Sequence, residues 1–245
     1  MTPRQPPGIE VRDLTLRFGD RVIFERLSFT IDGGSFVALL GASGAGKTSL
    51  LKIIAGLAQA TSGSVCGSDG LPIAGRIAYM GQKDLLYPWL TIDENITLGS
   101  RLRGEKADRP WAAHLLERVG LSGYGGALPA ALSGGMRQRA AIARTLYERR
   151  PIVLMDEPFS ALDAITRATI QTLAAELLAQ NTVLLTTHDP MEACRLSHRL
   201  LVLANSPSGI DDNHPIGGQP PRAPDDPHLL KSQAELLRQL VRAAQ

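Results

Sequence analysis

The chain has 245 residues, 44% of them hydrophobic and 20% charged, with a formal net charge of +2. That length and apolar content suffice for one large α/β domain, or a core with an inserted subdomain, without covalent staples. A charge this close to balance, with arginines spread along the chain, argues against a nucleic-acid partner; the two isolated cysteines, Cys66 and Cys194, lack metal or redox spacing and fit a reducing compartment.

Residues 1–8 are polar and proline-rich, without the apolar core of a leader, and predict a flexible N-terminus on a chain that stays in the cytoplasm. Apolar and polar residues alternate over 9–18 and 22–31 around Gly19-Asp20, which predicts an antiparallel hairpin with Phe18 at the end of its first strand. Residues 36–40 are continuously apolar, as are 152–155, 183–185 and 200–204. Such runs have the length of strands in a covered parallel sheet and fall far short of the roughly 20 residues of a membrane span.

Directly after 36–40 stands Gly41-Ala42-Ser43-Gly44-Ala45-Gly46-Lys47-Thr48, a complete G-x-x-x-x-G-K-[ST] phosphate loop. Its glycines let the backbone curl so that successive N–H groups and the positive end of the next helix converge on phosphate. Lys47 is placed to neutralise β and γ oxygens, and the Thr48 hydroxyl to join Mg²⁺. The chain is therefore expected to bind a nucleoside triphosphate.

A helix over 47–56 is stopped by glycine, and the Gly/Ser-rich stretch 61–69 reads as a connection to a strand over 76–80, with Gln82 just beyond. From 83 to 128 strand patterning gives way to helix signals, including a capping box at Thr91-Ile92-Asp93-Glu94 and an amphipathic run over 111–119. Ser133 is a good N-cap for a helix that Pro151 ends. Strand and helix then alternate over 152–155, 164–180, 182–187, 190–196 and 200–203. Residues 205–226, rich in Pro, Gly and Asp, read as a mobile connector. Asp226 and Pro227 open a last helix whose Leu229, Leu230, Leu236, Leu237, Leu240 and Val241 form one apolar face for packing on the core. The expected organisation is thus 1–8, a domain over 9–204 with a helical insertion over about 83–150, the connector 205–226 and the helix 227–245.

The strand 152–155 runs into Asp156, where a parallel-sheet protein places the carboxylate that holds Mg²⁺ through water. Glu157 follows, and its natural task is to orient and deprotonate the water that attacks the γ-phosphate.

Leu132-Ser133-Gly134-Gly135-Met136-Arg137-Gln138-Arg139 resembles the signature motif of the ATP-binding cassette (ABC) family, and it lies upstream of Asp156-Glu157 as in that family. The resemblance covers nearly the whole chain: Phe18 fits the aromatic that stacks on adenine, Gln82 the Q-loop, Ser160-Ala161-Leu162-Asp163 the D-loop, and His188 the switch histidine. It implies an α/β fold, a P-loop NTPase (RecA-like) core with a small antiparallel β-subdomain and an inserted α-helical subdomain, and ATP with Mg²⁺ as its ligands. ATP would be bound by Phe18, Gly41, Ala42, Ser43, Gly44, Ala45, Gly46, Lys47, Thr48, Ser49, Ser133, Gly134, Gly135 and Asp163. Thr48, Gln82 and Asp156 would serve the metal, and Glu157, His188 and Gln82 the hydrolysis. Three departures stand out: Phe18 replaces the more usual tyrosine, Met136 the commoner glutamine, and 61–80 is short.

Ser133 and the amides of Gly134 and Gly135 make a second helix N-terminus suited to an anion, redundant within one monomer. In the family it caps the γ-phosphate held by the other subunit. One copy of each motif therefore implies a dimer of two such chains, or a pair with a close relative.

A separate cassette with one short insertion looks most like an importer subunit; a standalone exporter cassette and a soluble non-transport cassette are the alternatives. The run Leu85-Leu86-Tyr87-Pro88-Trp89-Leu90-Thr91-Ile92-Asp93-Glu94-Asn95-Ile96, then Leu102-Arg103-Gly104, resembles cassettes for uptake of nitrate, sulfonate, taurine and the thiamine precursor hydroxymethylpyrimidine. That resemblance implies a permease, a solute-binding protein and a second cassette as partners, no nucleic acid, and a peripheral place on the cytoplasmic face of the inner membrane. For Tyr87-Pro88-Trp89 two roles are open, docking a permease coupling helix or packing the insertion.

Overall fold

A computed structural model describes residues 5–42, 44–203 and 209–243; residues 1–4, Ser43 of the phosphate loop, residues 204–208 and residues 244–245 lie outside the described residues. Ile9–Phe18 (β1) and Arg21–Ile31 (β2) form the expected antiparallel hairpin, with Ile9 opposite Ile31 and Phe18 opposite Arg21. Phe36–Gly41 (β3) feeds through the glycine-rich loop into Lys47–Ile54 (α1). The stretch 61–69, expected as a connection, instead contains a strand, Ser62–Gly67 (β4), antiparallel to β1. Exposed serines and glycine there give no strand pattern, and at Gly63 close backbone approach requires the glycine. Gly63 has φ +92°, and a Cβ on it would lie 2.5 Å from the Asp13 carbonyl oxygen.

Between Ile77–Met80 (β5) and its parallel neighbour Ile152–Asp156 (β6) the chain inserts three helices, Ile92–Leu102 (α2), Arg109–Arg118 (α3) and Gly134–Tyr147 (α4). Each begins on a side-chain cap. Thr91 and Glu94 complete the capping box of α2, Asp108 accepts from Trp111 at α3, and Ser133 accepts from Met136 at α4. The core then resumes with Ala164–Leu177 (α5), Thr182–Thr186 (β7), Pro190–Leu196 (α6), Arg199–Leu203 (β8), Ile210–Pro215 (β9) and Pro227–Ala243 (α7).

The main sheet runs β5-β6-β7-β3-β8-β9, parallel except for β9, and the smaller sheet runs β2-β1-β4. β6 and β7 are buried at every residue, as expected of strands covered on both faces. Alternate residues serve different cores: Val153, Met155, Val183 and Leu185 pack towards the helical insertion, while Ile152, Leu154 and Leu184 pack with α1 and the antiparallel sheet. Each such side chain contributes roughly 1.5–3 kcal/mol by leaving water. The strand order puts the C-terminal ends of β3, β6 and β7 side by side, and that edge carries the site.

Two terminal expectations change. Residues 5–8 are tied to the core, with the Gln5 side chain donating to the Gly33 carbonyl and the Thr182 hydroxyl to the Pro7 carbonyl. The stretch read as a mobile connector contains β9 on the edge of β8, and Arg222, which is almost wholly buried. All five guanidinium N–H donors of Arg222 reach backbone carbonyls, those of Gly217, Cys194, Ser197, Ile216 and Gly218, at 2.6–3.1 Å. This one side chain fastens 216–222 to the end of α6, a contact with no local sequence signal. In α7 only Leu229 and Leu236 enter the core while Leu230 and Leu237 stay exposed, so the packed stripe is narrower than expected; the side chains of Leu240 and Val241 lie outside the described residues.

Replacing Arg222 with Met should cost about 3 kcal/mol or more in chemical denaturation, because several buried carbonyls lose their donors together. Arg222→Lys should recover little, since an ammonium cannot reproduce the planar fork. Unchanged unfolding midpoints in both variants would show that Arg222 does not hold this segment.

Candidate functional site

At the edge of the sheet, α1 differs from the helices around it. α2, α3, α4, α5 and α6 each start on a side-chain cap, whereas α1 has none and starts at Gly46, with φ +100°. A Cβ on Gly46 would lie 2.6 Å from Ile23 Cγ2, and one on Gly41 would lie 2.9 Å from the Leu203 carbonyl oxygen. Glycine is thus required where the loop presses on its neighbours, and the first amides of α1 are left for an external acceptor. Lys47 is buried, and its Nζ donates to the carbonyls of Gly41 at 2.7 Å and Ala42 at 3.0 Å, holding the ammonium across the loop. Burial lowers its pKa, and the charges of Glu157 and Asp156 oppose that shift.

β6 delivers Asp156 to the same edge. Its carboxylate is buried; Oδ1 accepts from the Thr186 hydroxyl at 2.6 Å, and Oδ2 has no protein partner. A buried orphaned carboxylate oxygen beside a phosphate loop suits a hydrated divalent cation. Glu157 follows with φ +47°, a left-handed conformation that costs a non-glycine residue roughly 1–3 kcal/mol. Its amide is held by the Thr186 carbonyl at 3.1 Å and hydroxyl at 3.2 Å. Glu157 Oε2 lies 3.3 Å from His188 Nδ1 and accepts from Gln82 Nε2 at 3.5 Å. Three side chains that are 75 and 31 residues apart along the chain therefore meet on one oxygen.

α6, which begins two residues after His188, is locked to α5. Arg195 donates to Gln171 Oε1 at 2.6 Å and Thr172 Oγ1 at 2.9 Å, and Gln171 donates to Glu192 at 2.9 Å. Burial pushes the Glu192 carboxyl up to about 7.

The remaining expected residues stand apart from this cluster. Phe18 is 62% exposed at the end of β1. Ser133 and Gly134 are exposed at the start of α4, and no hydrogen bond or ion pair joins Ser133, Gly134 or Gly135 to the phosphate loop among the described residues. Gly135 lies against the D-loop turn, where a Cβ would meet the Ala161 carbonyl at 3.4 Å. Asp163 is exposed and caps α5 through Thr166, whose hydrogen bonds lower its pKa.

Some site residues escaped the sequence reading. Thr186 serves both acidic residues because it is the strand partner of Asp156, a matter of register that no local pattern reports. Gln138 donates to the Pro158 carbonyl at 2.7 Å and so ties α4 to the Glu157 turn. Asn95, fully buried, holds the loop before α2: Tyr87 N donates to its Oδ1 at 2.7 Å, and its Nδ2 donates to the carbonyls of Tyr87, Leu90 and Thr91. On that fixed backbone Tyr87 is 43% and Trp89 71% exposed, their rings 5.4 Å apart, so Trp89 is not core packing of the insertion.

The family model described as "ABC transporter" matches residues 24–160. Aliphatic sulfonates import ATP-binding protein SsuB 1 of Pseudomonas syringae pv. syringae is 44% identical over 228 residues, covering 92% of this chain and 93% of that protein. An uncharacterized ABC transporter ATP-binding protein of Haemophilus influenzae is 42% identical over 237 residues, covering 95% and 98%. Among solved structures, the post-hydrolysis dimer of the ATP-binding cassette MJ0796 with ADP and Pi aligns with a TM-score of 0.73 and 29% identity, over 83% of this chain and 98% of that one.

Asn95→Ala should free the Tyr87–Trp89 backbone. Hydrogen exchange at the Tyr87 amide should accelerate roughly tenfold or more while amides of β6 and β7 keep their protection. Unaltered exchange at Tyr87 would show that Asn95 is not what holds the loop.

Proposed function

The chain belongs to the ABC transporter family, and from that membership we propose that it is the ATP-hydrolysing cassette of an importer, working as a dimer against a separate membrane permease. The observation that carries the assignment of the chemistry is the meeting of Gln82, Glu157 and His188 on one carboxylate oxygen beside Lys47 and Asp156.

The uncapped amides of α1, with Gly44, Ala45, Thr48, Ser49 and Lys47, bind the β and γ phosphates, and Phe18 offers its exposed ring to the adenine. Thr48, Asp156 through its free Oδ2, and Gln82 would hold Mg²⁺, which would supply positive charge to offset that of the triphosphate. Gln82 orients the attacking water and Glu157 takes its proton as oxygen attacks the γ-phosphorus and the bond to the β–γ bridging oxygen breaks. His188 steadies Glu157 and donates towards the γ-phosphate. Ser133, Gly134 and Gly135 cap the γ-phosphate of the opposite subunit, and Asp163 lies at the same interface.

The exposed Tyr87 and Trp89 support docking of a permease segment next to Gln82. No helix among the described residues is long and apolar enough to cross a membrane. The importer reading places the chain peripherally, through its permease, on the cytoplasmic face of the inner membrane. A solute-binding protein completes the importer. The names of its relatives make aliphatic sulfonates the first solutes to test, with the permease and binding protein setting the choice.

Glu157→Gln should lower the hydrolysis rate by roughly 10²- to 10⁴-fold while ATP binding persists and an ATP-dependent dimer accumulates on size-exclusion chromatography. Parental turnover in that variant would remove Glu157 from the mechanism.

A further inference from the structure

We propose that Asp84, Arg137 and Arg144 are positioning residues that carry the seating of a permease on Tyr87 and Trp89 to the signature residue Ser133 of the same chain. The proposal rests on the importer reading, which supplies the permease as occupant of those rings.

Asp84 and Leu85 form the turn between Gln82 and the aromatic pair. Leu85 is left-handed, with φ +49°. Both oxygens of the Asp84 carboxylate are engaged: Oδ1 accepts from the Leu86 amide at 3.1 Å, and Oδ2 accepts from Arg137 Nε at 3.1 Å. The same Arg137 donates through Nη1 to the carbonyl of Leu132 at 2.8 Å, and Leu132 is the residue before Ser133. Seven residues further along α4, Arg144 donates to the carbonyls of Asp84 at 2.6 Å and Leu85 at 2.8 Å. Residues seven apart lie two turns apart on one helix face, so a single face of α4 grips the turn by its side chain and by its backbone.

An isolated surface ion pair is a weak tether. Here the pair is one of several bonds converging on a two-residue turn, and Asn95 fixes the loop on its far side. A push on the Tyr87 and Trp89 rings has no slack to take up before it reaches α4, and α4 begins at Ser133. Gln82 answers to the ATP of its own chain; this second route addresses the ATP held by the opposite subunit.

The test uses the full chain assembled with its co-purified permease in proteoliposomes. Asp84→Asn, Arg137→Gln and the double variant are compared for the ratio of permease-bound to free ATPase rate, for ATP affinity of the free chain, and for co-purification with the permease. Each single variant should lower the stimulation ratio roughly 3- to 30-fold, and the double should lose no more than either single, since all three break the same contact. ATP affinity and co-purification should stay at parental values. The charge reversal Asp84→Arg with Arg137→Asp, which keeps an ion pair at the position, should recover part of the ratio.

Parental stimulation in the single variants, or additive losses in the double, would overturn the proposal. Trp89→Ala separates the two layers. If it leaves co-purification with the permease intact, the docking reading fails; if it weakens co-purification while the Asp84 and Arg137 variants remain fully stimulated, the route to Ser133 alone fails.

Discussion

The constraint on which this structure turns is the bare N-terminus of α1. Its neighbours satisfy their first amides with Thr91, Asp108, Ser133, Asp163 and Asp189, whereas α1 starts from a left-handed glycine and brings no side chain of its own. Unpaired donors at a helix start are tolerable when an anion completes them. The strand order then follows a simple logic: β3 leads into those amides, and β6 and β7 end beside it, one bringing Asp156 and Glu157 and the other Thr186 and then His188. Lys47 is buried within reach of the Asp156 and Glu157 charges, and its lowered pKa reflects that burial.

In the proposed dimer the second helix start, at Ser133, serves the nucleotide of the opposite chain. Ser133 is exposed and has no hydrogen bond to its own phosphate loop among the described residues, and Gly135 beside it lies against the D-loop turn at Ala161. Two anion sites that cannot serve one phosphate group within a monomer can serve it across a two-fold, where each chain offers a loop to one nucleotide and a signature to the other. One solved structure that aligns over 83% of this chain is a dimer with ADP and Pi. Ligand-dependent closure on this plan draws its energy from phosphate charge shared between two subunits, and α4 is the element through which a remote event can alter that sharing.

How far the sequence could be read depends on how local each cause is. The phosphate loop, the capping box at Thr91 and the caps at Ser133 and Asp226 obey rules that span a few residues, and these were legible. The buried runs of β6 and β7 announced a covered parallel sheet because apolar residues filled both faces. β4 was missed because Gly63 answers to the backbone of Asp13, half a hundred residues earlier, and leaves no alternation behind. Residues 216–222 were read as mobile because Pro and Gly dominate them, while their order comes from Arg222, which bonds three carbonyls of the segment itself and those of Cys194 and Ser197 at the end of α6. Thr186 and Asp84 share that character: each matters through a partner that only strand register or helix packing brings near. The Trp89 side chain, for which packing and docking both stood open, is exposed, on a loop whose backbone Asn95, with no motif to mark it, bonds at Tyr87, Leu90 and Thr91.

The central claim is that one ATP is held by the phosphate loop of one chain and the signature of another. The most direct measurement is ATPase activity of a mixture of two inactive variants, Lys47→Ala, which damages the loop, and Ser133→Arg, which blocks the signature. In the mixed dimer one composite site contains both faults and the other contains neither. The account predicts that mixing restores hydrolysis above either variant alone, provided one intact site turns over. Activity that never exceeds that of the separate variants, although mixed dimers are demonstrably present, would contradict it.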